Sequence, residues 1–206
     1  LSIPNISGNE LKYVKDCLDT GWISSAGEYV NKFEEAIQSY TGTKYAIACI
    51  NGTAGLQVSL ILAGVTKNDI VIAPNLTFVA TLNAISYISA QTVLIDNCED
   101  SWQIDVDLLE KWLIKNTTTI IGDKPITIEK LSGKKIGAIM PVYVLGGFVN
   151  TDKLLKISTK FGIPIIEDST EALGSFKKGK HAGTFGLTGV LSFNGNKIIS
   201  TGGGGM

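Results

Sequence analysis

The sequence predicts an α/β fold in which a mostly parallel sheet is covered by helices on both faces. From residue 44 onward, short and nearly continuous apolar runs alternate with stretches of helical period. That is the pattern of strands buried on both faces and joined by crossover helices. Asn51-Gly52-Thr53, Pro74-Asn75, Asp168 and Lys197 all fall just past predicted strand ends, the edge at which open α/β sheets collect ligands.

Residues 1–43 read as an N-terminal helical segment, and residues 44–206 as the alternating domain. Ser7-Gly8-Asn9-Glu10 matches a capping box, in which a serine and a glutamate three residues on satisfy free amide donors. Leu11, Val14 and Leu18 share one face of the helix that follows. Residues 21–27 (GWISSAG) are a loop by composition. Its Trp22 and Ser24 are either substrate contacts or parts of a surface loop pinned by one tryptophan. Val30, Phe33, Ile37 and Tyr40 then recur at helical spacing. Strands are expected at 45–50, 70–73, 92–95, 136–143, 163–167 and 190–193, with helices at 53–63, 77–88, 106–115 and 151–161. Residues 116–135 interrupt this rhythm with Ile-Thr-Ile alternation and the turn-like Ser132-Gly133, as expected for a small exposed hairpin insertion.

A chain of 206 residues can bury one sizeable core but is short for two full domains. Its net charge of −1 argues against nucleic-acid binding, which needs concentrated basic surface. No apolar run is long enough to span a bilayer and the N-terminus lacks a signal-peptide pattern, so no membrane association is expected. Cys17, Cys49 and Cys98 are few, odd in number and far apart, as free thiols in a reducing, cytoplasmic compartment would be rather than a disulfide framework or a zinc site. The chain starts on Leu1 and stops inside a glycine run, which suggests that a further element follows.

The candidate chemistry centres on residues 189–206, GVLSFNGNKIISTGGGGM. Lys197 follows a buried strand among small polar residues and glycines, where desolvation favours the nucleophilic amine used in Schiff-base chemistry. Asn51-Gly52-Thr53-Ala54 joins a strand to a helix. Read alone, it is an ordinary N-cap with Thr53 capping and Gly52 turning; its functional reading is a phosphate cradle at the helix start. Asp168 ends a buried strand beside Glu167, either as an anion that keeps a ring nitrogen protonated or as the cap of residues 169–173. Phe78 opens a helix and is either a core aromatic or a ring stacker. His181, the sole histidine, lies in the polar stretch 177–183 and is expected on a surface loop; with no partner cluster, no metal site is expected. A phosphate cradle, a ring stacker, a carboxylate for a ring nitrogen and an amine for an imine are what pyridoxal phosphate requires together.

Taken in order, Gly21-Trp22, NGTAGL, APNLTFVATLNAI, PIIEDSTEALGS and SFNGNKIISTGGGGM resemble the DegT/DnrJ/EryC1/StrS sugar-nucleotide aminotransferases, over essentially the whole chain. The resemblance implies the large domain of a fold-type I pyridoxal-phosphate transferase, with its last strands and the small C-terminal domain lying beyond Met206. It implies Lys197 as the Schiff-base lysine, Asp168 as the partner of the pyridinium nitrogen and Phe78 over the ring. Gly52, the backbone at Thr53 and Ala54, and the Ser192 hydroxyl would hold the phosphate. Glu171 stands beside the cofactor where the family usually has glutamine or histidine. Implied as well are an amino-acid donor, expected to be glutamate, a homodimer with shared active sites, and a UDP-linked 4-keto sugar as acceptor. Relatives that are dehydratases carry histidine in place of the lysine, so Lys197 favours transamination over dehydration. The same motifs would also suit a sugar dehydratase or a dTDP-keto-sugar aminotransferase of the family, or a non-catalytic relative that binds the cofactor.

Overall fold

The computed structural model describes residues 3–123 and 125–206; residues 1 and 2 of the predicted helical segment and Lys124 of the predicted insertion lie outside the described residues. Two helices lead the chain, α1 (Glu10–Thr20) and α2 (Glu28–Thr41), closed by the left-handed glycines Gly21 and Gly42. There follow α3 (Gly52–Leu62), β1 (Ile70–Pro74), α4 (Val79–Tyr87), β2 (Gln91–Ile95) and α5 (Val106–Asn116). The hairpin β3 (Thr117–Ile120) and β4 (Ile126–Glu129) precedes β5 (Ile136–Ile139), α6 (Thr151–Phe161) and β6 (Ile166–Asp168). The chain then makes β7 (Phe176–Lys177), β8 (Lys180–His181) and β9 (Thr188–Val190).

β1 lies between β2 and β5 and is parallel to both, and β6 pairs in parallel with β9. Parallel bridges from Ile139 to Ile165 and from Val142 to Asp168 carry the arrangement from β5 to β6. The strands therefore run in the order β2-β1-β5-β6-β9, with their C-terminal ends at one edge. Along β1, Ile70 and Ile72 enter the cluster that contains Leu109 and Leu113 of α5 and Ile157 of α6. Val71 and Ala73 enter the opposite cluster, with Leu56 and Leu60 of α3 and Ala84 of α4. This alternation is the period of two of a strand, and it shows helices on both faces of the sheet. Local capping sets the helix starts: Asp105 accepts the N–H groups of Asp107 and Leu108 ahead of α5, and Asn150 accepts that of Lys153 ahead of α6.

The expected strand at 45–50 forms no ladder, only a bridge from Cys49 to Gly205, with one from Asn51 to Gly204 just after it. Tyr45, Ile47 and Ile50 remain exposed, so the segment is not buried on two faces. The capping box is absent because α1 starts at Glu10, two residues later than the box requires; Asn9 makes no side-chain cap, and the Glu10 carboxylate accepts the Gly8 N–H instead. The apolar residues of α1 are exposed rather than packed. The insertion does form a hairpin, but its inner side is covered. Thr127 is buried, its hydroxyl donating to the Phe161 carbonyl at 2.6 Å. Ser132-Gly133 turns after β4 rather than within the hairpin, with Glu129 accepting from the N–H groups of Leu131 and Ser132.

His181 is buried, not on a surface loop. The tight β7–β8 hairpin folds it against Phe176 and Tyr40, with ring centroids 5.0 and 5.9 Å away. Its Nε2 accepts the Gly174 N–H at 2.9 Å, so Nδ1 carries the proton and faces the Ala182 carbonyl. Burial lowers its pKa below the usual 6.5. The unfolded chain therefore takes up a proton that the folded protein excludes. The stabilisation from neutral His181 is intact above about pH 6.5 and is lost as pH falls toward the lowered folded-state value. Denaturant unfolding between about pH 5 and 7.5 is expected to show this slope in the wild type and to lose it in His181→Gln. Equal slopes in the two proteins would refute it.

Candidate active site

Glycines bring α3 against β9. A Cβ on Gly55 would lie 2.8 Å from Val190 Cγ1, and one on Gly52 would lie 3.0 Å from Thr170 Cγ2 and 3.1 Å from Ser192 Cβ. The start of α3 is thus held over the C-terminal ends of β6 and β9, beside Ser192. The N-cap is Asn51, not Thr53: Asn51 Oδ1 accepts the Ala54 N–H at 2.8 Å. Of the two amides implicated by sequence, Ala54 is therefore engaged, while helix geometry leaves the N–H groups of Gly52 and Thr53 without intrahelical partners. The glycine run beyond Lys197 is a paired segment rather than a loose connection. Leu191 and Phe193 bond to Met206 and Gly204, and Cys49 exchanges N–H···O bonds with Gly205. A Cβ on Gly205 would lie 2.5 Å from the Asn51 carbonyl carbon, so only glycine lets this segment back directly onto the start of α3.

Glu167 and Asp168 are adjacent but serve opposite sides of the sheet. Glu167 accepts the Tyr143 hydroxyl and the N–H groups of Gly183, Phe185 and Gly186. Burial pushes its carboxyl above the ordinary range, opposed by those four donors. Its place in the fold is to anchor the loop between β8 and β9. Asp168 is also buried. Its Oδ2 accepts the Thr81 hydroxyl at 2.7 Å and its Oδ1 the Thr170 N–H at 3.2 Å. Burial raises its pKa too, while Thr81, Thr170 and the charge of Lys197 pull the other way. Residues 169–173 form turns and no helix, so Asp168 caps none.

Thr81 is a site residue that sequence reasoning missed. Its only local signal was a second threonine, Thr77, one helical turn earlier, whose hydroxyl lies 2.7 Å from that of Thr81. Phe78 occupies the N-cap position of α4 and is 72% exposed, so it is not a core aromatic. Lys197 Nζ lies 3.4 Å from Glu171 Oε1, and Glu171 Oε2 accepts the Leu145 N–H at 3.0 Å. Gly52, Thr53, Phe78, Asp168, Glu171, Ser192 and Lys197 thus all sit at one edge of the sheet. Trp22 and Ser24 do not join them. They line a groove between α1 and α2 with Tyr13, Leu18 and Tyr29, to which the C-terminal segment adds Thr201. Among the described residues there is no group of three or more His, Cys, Asp or Glu placed to hold a metal, and no helix is long and apolar enough to cross a membrane.

The edge therefore offers a helix start lined by glycine, a fully buried carboxylate and a lysine amine held by a second carboxylate, on an open parallel sheet. This is an open, doubly covered α/β sheet with its polar residues gathered at the C-terminal strand edge. The family model for DegT/DnrJ/EryC1/StrS aminotransferases matches residues 4–206, and the chain belongs to that family. GDP-perosamine synthase of Caulobacter vibrioides is 38% identical over 206 residues, all of this chain and 50% of that protein. The chain spans about half the length of the curated relatives it matches. Among solved structures, the aminotransferase from Psychrobacter cryohalolentis superposes with a TM-score of 0.84 at 27% identity, over 100% of this chain and 47% of that one. A Streptococcus pneumoniae protein described as a sugar aminotransferase, solved in its PLP form, gives 0.82 at 28% identity, over 99% of this chain and 51% of that one. The fold is that of the large domain of these aminotransferases.

Proposed function

We propose that this protein is a pyridoxal 5'-phosphate-dependent aminotransferase that carries an amino group from L-glutamate to the ketone of a sugar nucleotide. The observation that supports it best is the fully buried Asp168 carboxylate, coupled to the Lys197 charge at the strand edge beneath the start of α3. The residues present fit the cofactor. Gly52 leaves a cradle between Thr170 and Ser192 that a Cβ would fill. The N–H groups of Gly52 and Thr53, with the Ser192 hydroxyl, are donors suited to a phosphate. A buried carboxylate whose protonation is favoured by burial is best satisfied by a cation such as a ring N–H.

When bound, the cofactor supplies an electron sink for cleavage of a Cα–H bond. Asp168 holds the ring nitrogen protonated, and Thr81 orients that carboxylate. Phe78 is the ring stacker. Lys197 would hold the cofactor covalently, and its amine, when free, is the group placed to act as general base and acid toward the donor's Cα proton. Residues 1–43 act as a helical segment beside the cofactor-binding domain of 44–206, with Trp22 and Ser24 in the groove between α1 and α2, apart from the cofactor residues. The active form is a cytoplasmic homodimer with shared sites, which would cover the exposed Val58 and Ile61 of α3 and Tyr87 of α4.

The acceptor is a UDP-linked 4-keto-6-deoxy-N-acetylhexosamine. The name of the Caulobacter relative carries a GDP-linked amino sugar, so a GDP-linked 4-keto-6-deoxy sugar is the second reading. Incubating full-length protein with pyridoxal phosphate, glutamate and UDP-, GDP- or dTDP-linked keto sugars, with mass analysis of the nucleotide sugar, tests both. Amino-for-keto exchange is expected, whereas loss of water would identify a dehydratase. For Lys197→Ala we expect no borohydride-reducible cofactor on the protein, no glutamate-bleachable visible band, and turnover lower by at least about 10³-fold. Covalent trapping in this variant equal to that of the wild type would overturn the assignment of Lys197.

A further inference from the structure

Glu171 stands in the turn after β6, and its two oxygens reach two different segments. Oε2 accepts the Leu145 N–H at 3.0 Å, and Oε1 lies 3.4 Å from Lys197 Nζ. The first contact is set by backbone geometry. Leu145 is held in the left-handed region, at φ 52 and ψ 28, a conformation that bulky residues adopt only where their surroundings impose it. Its neighbour Gly146 packs so closely that a Cβ there would lie 2.9 Å from Ser175 Oγ and 3.5 Å from the Glu171 carbonyl oxygen. The loop after β5 thus positions the carboxylate without help from Lys197.

Lys197 and Glu171 have side-chain exposures of 16% and 35%, so the pair is partly shielded from solvent. The anions near the amine, among the described residues, are Asp168 and Glu171. Asp168 is already engaged by the Thr81 hydroxyl and the Thr170 N–H. Glu171 is the one that hydrogen-bonds the amine.

We propose that Glu171 is the proton partner of Lys197. It accepts a proton from the Nζ ammonium, which frees the nitrogen lone pair to attack a carbonyl carbon, and it returns the proton when the amine is released. One N–H bond breaks with its electron pair left on nitrogen and one O–H bond forms at Oε1. The carbon–nitrogen bond made in the attack replaces the C=O bond, whose oxygen leaves as water with the two remaining nitrogen protons, and nothing is oxidised or reduced. At 3.4 Å the two atoms are within hydrogen-bonding reach, longer than the about 2.8 Å of a tight charge-assisted bond. Glutamine in this position offers the same acceptor to the Leu145 N–H and cannot take up the proton. The inference rests on the reading of Lys197 as the residue that bonds the cofactor.

The test is the rate of covalent attachment, which needs no turnover. Full-length protein freed of cofactor is mixed with pyridoxal phosphate, quenched with borohydride at timed intervals, and the Lys197 peptide is weighed by mass spectrometry. Glu171→Gln is expected to attach the cofactor about tenfold more slowly, a modest share of what a positioned acid–base group supplies. Glu171→Ala is expected to be as slow and, unlike Glu171→Gln, to be accelerated by added acetate. Glu171→Asp, which keeps a carboxylate, is expected to fall between. Thermal melts establish that each variant is folded. Equal rates in wild type and folded Glu171→Gln, or no response of Glu171→Ala to acetate, would overturn the proton-partner role and leave Lys197 as the anchor. Absence of cofactor from Lys197 in the wild type would overturn the underlying function as well.

Discussion

Asp168→Asn is expected to lower turnover by roughly 10²–10³-fold, the scale of losing one preorganised electrostatic contact at a reacting group, while leaving the cofactor-free protein as stable as wild type or more so. The opposite signs have one cause. Asp168 is fully buried, and burial disfavours its ionised form more than any other influence on it. Asparagine keeps an acceptor for the Thr81 hydroxyl or the Thr170 N–H and removes the buried charge. It cannot hold a ring nitrogen protonated. Melting temperatures with and without pyridoxal phosphate, beside steady-state turnover, read both effects. Undiminished turnover in a folded Asp168→Asn would remove the carboxylate from the mechanism, and a strongly destabilised cofactor-free variant would show that the charge is structural.

Gly189→Ala is expected to destabilise the fold by more than about 3 kcal/mol, the range reserved for severe clashes in a close-packed interior. A Cβ on this β9 residue would lie 2.1 Å from the Gly183 carbonyl oxygen and 2.3 Å from Gly183 Cα, neither of which is the end of a flexible side chain. Relief requires moving the loop between β8 and β9. That loop is tied to Glu167 through the N–H groups of Gly183, Phe185 and Gly186, so its displacement strands a buried carboxylate. Ala at Gly203, where nothing lies within 4 Å of the added Cβ, is the matched control and is expected to be near neutral. Urea unfolding of the two variants checks the contrast. Similar midpoints would mean that the loop yields without cost.

Much of this architecture is legible locally. The helix predicted at 151–161 is α6 with the same bounds, because an amphipathic run between a capping asparagine and a terminating glycine is a local signal. β1, β2 and α5 differ from expectation by a single residue at one end. The stretch 45–50 misled because its apolar residues read as a buried strand, whereas the backbone that pairs with it is the glycine segment that ends at Met206. His181 misled because lysines and glycines surround it in sequence, while the hairpin turns the imidazole inward, onto Tyr40.

At the candidate site the division follows sequence distance. That a strand would end at Asp168 follows from apolar periodicity and its punctuation, whereas Asn51-Gly52 follows no strand and Lys197 lies seven residues past β9; five ordered motifs point to the family. Their partners do not follow. Glu167 and Asp168 are neighbours with the same charge, and strand alternation sends one to Tyr143 and the other to Thr81, 87 residues away. Glu171 meets Lys197 and Leu145 from a position 26 residues distant from each. The alternation of strands and helices, the edge at which most of the polar residues gather, and the family can all be read along the chain. Which carboxylate faces which donor is set in three dimensions, because it depends on the order in which parallel strands are laid side by side, and local periodicity does not encode strand order.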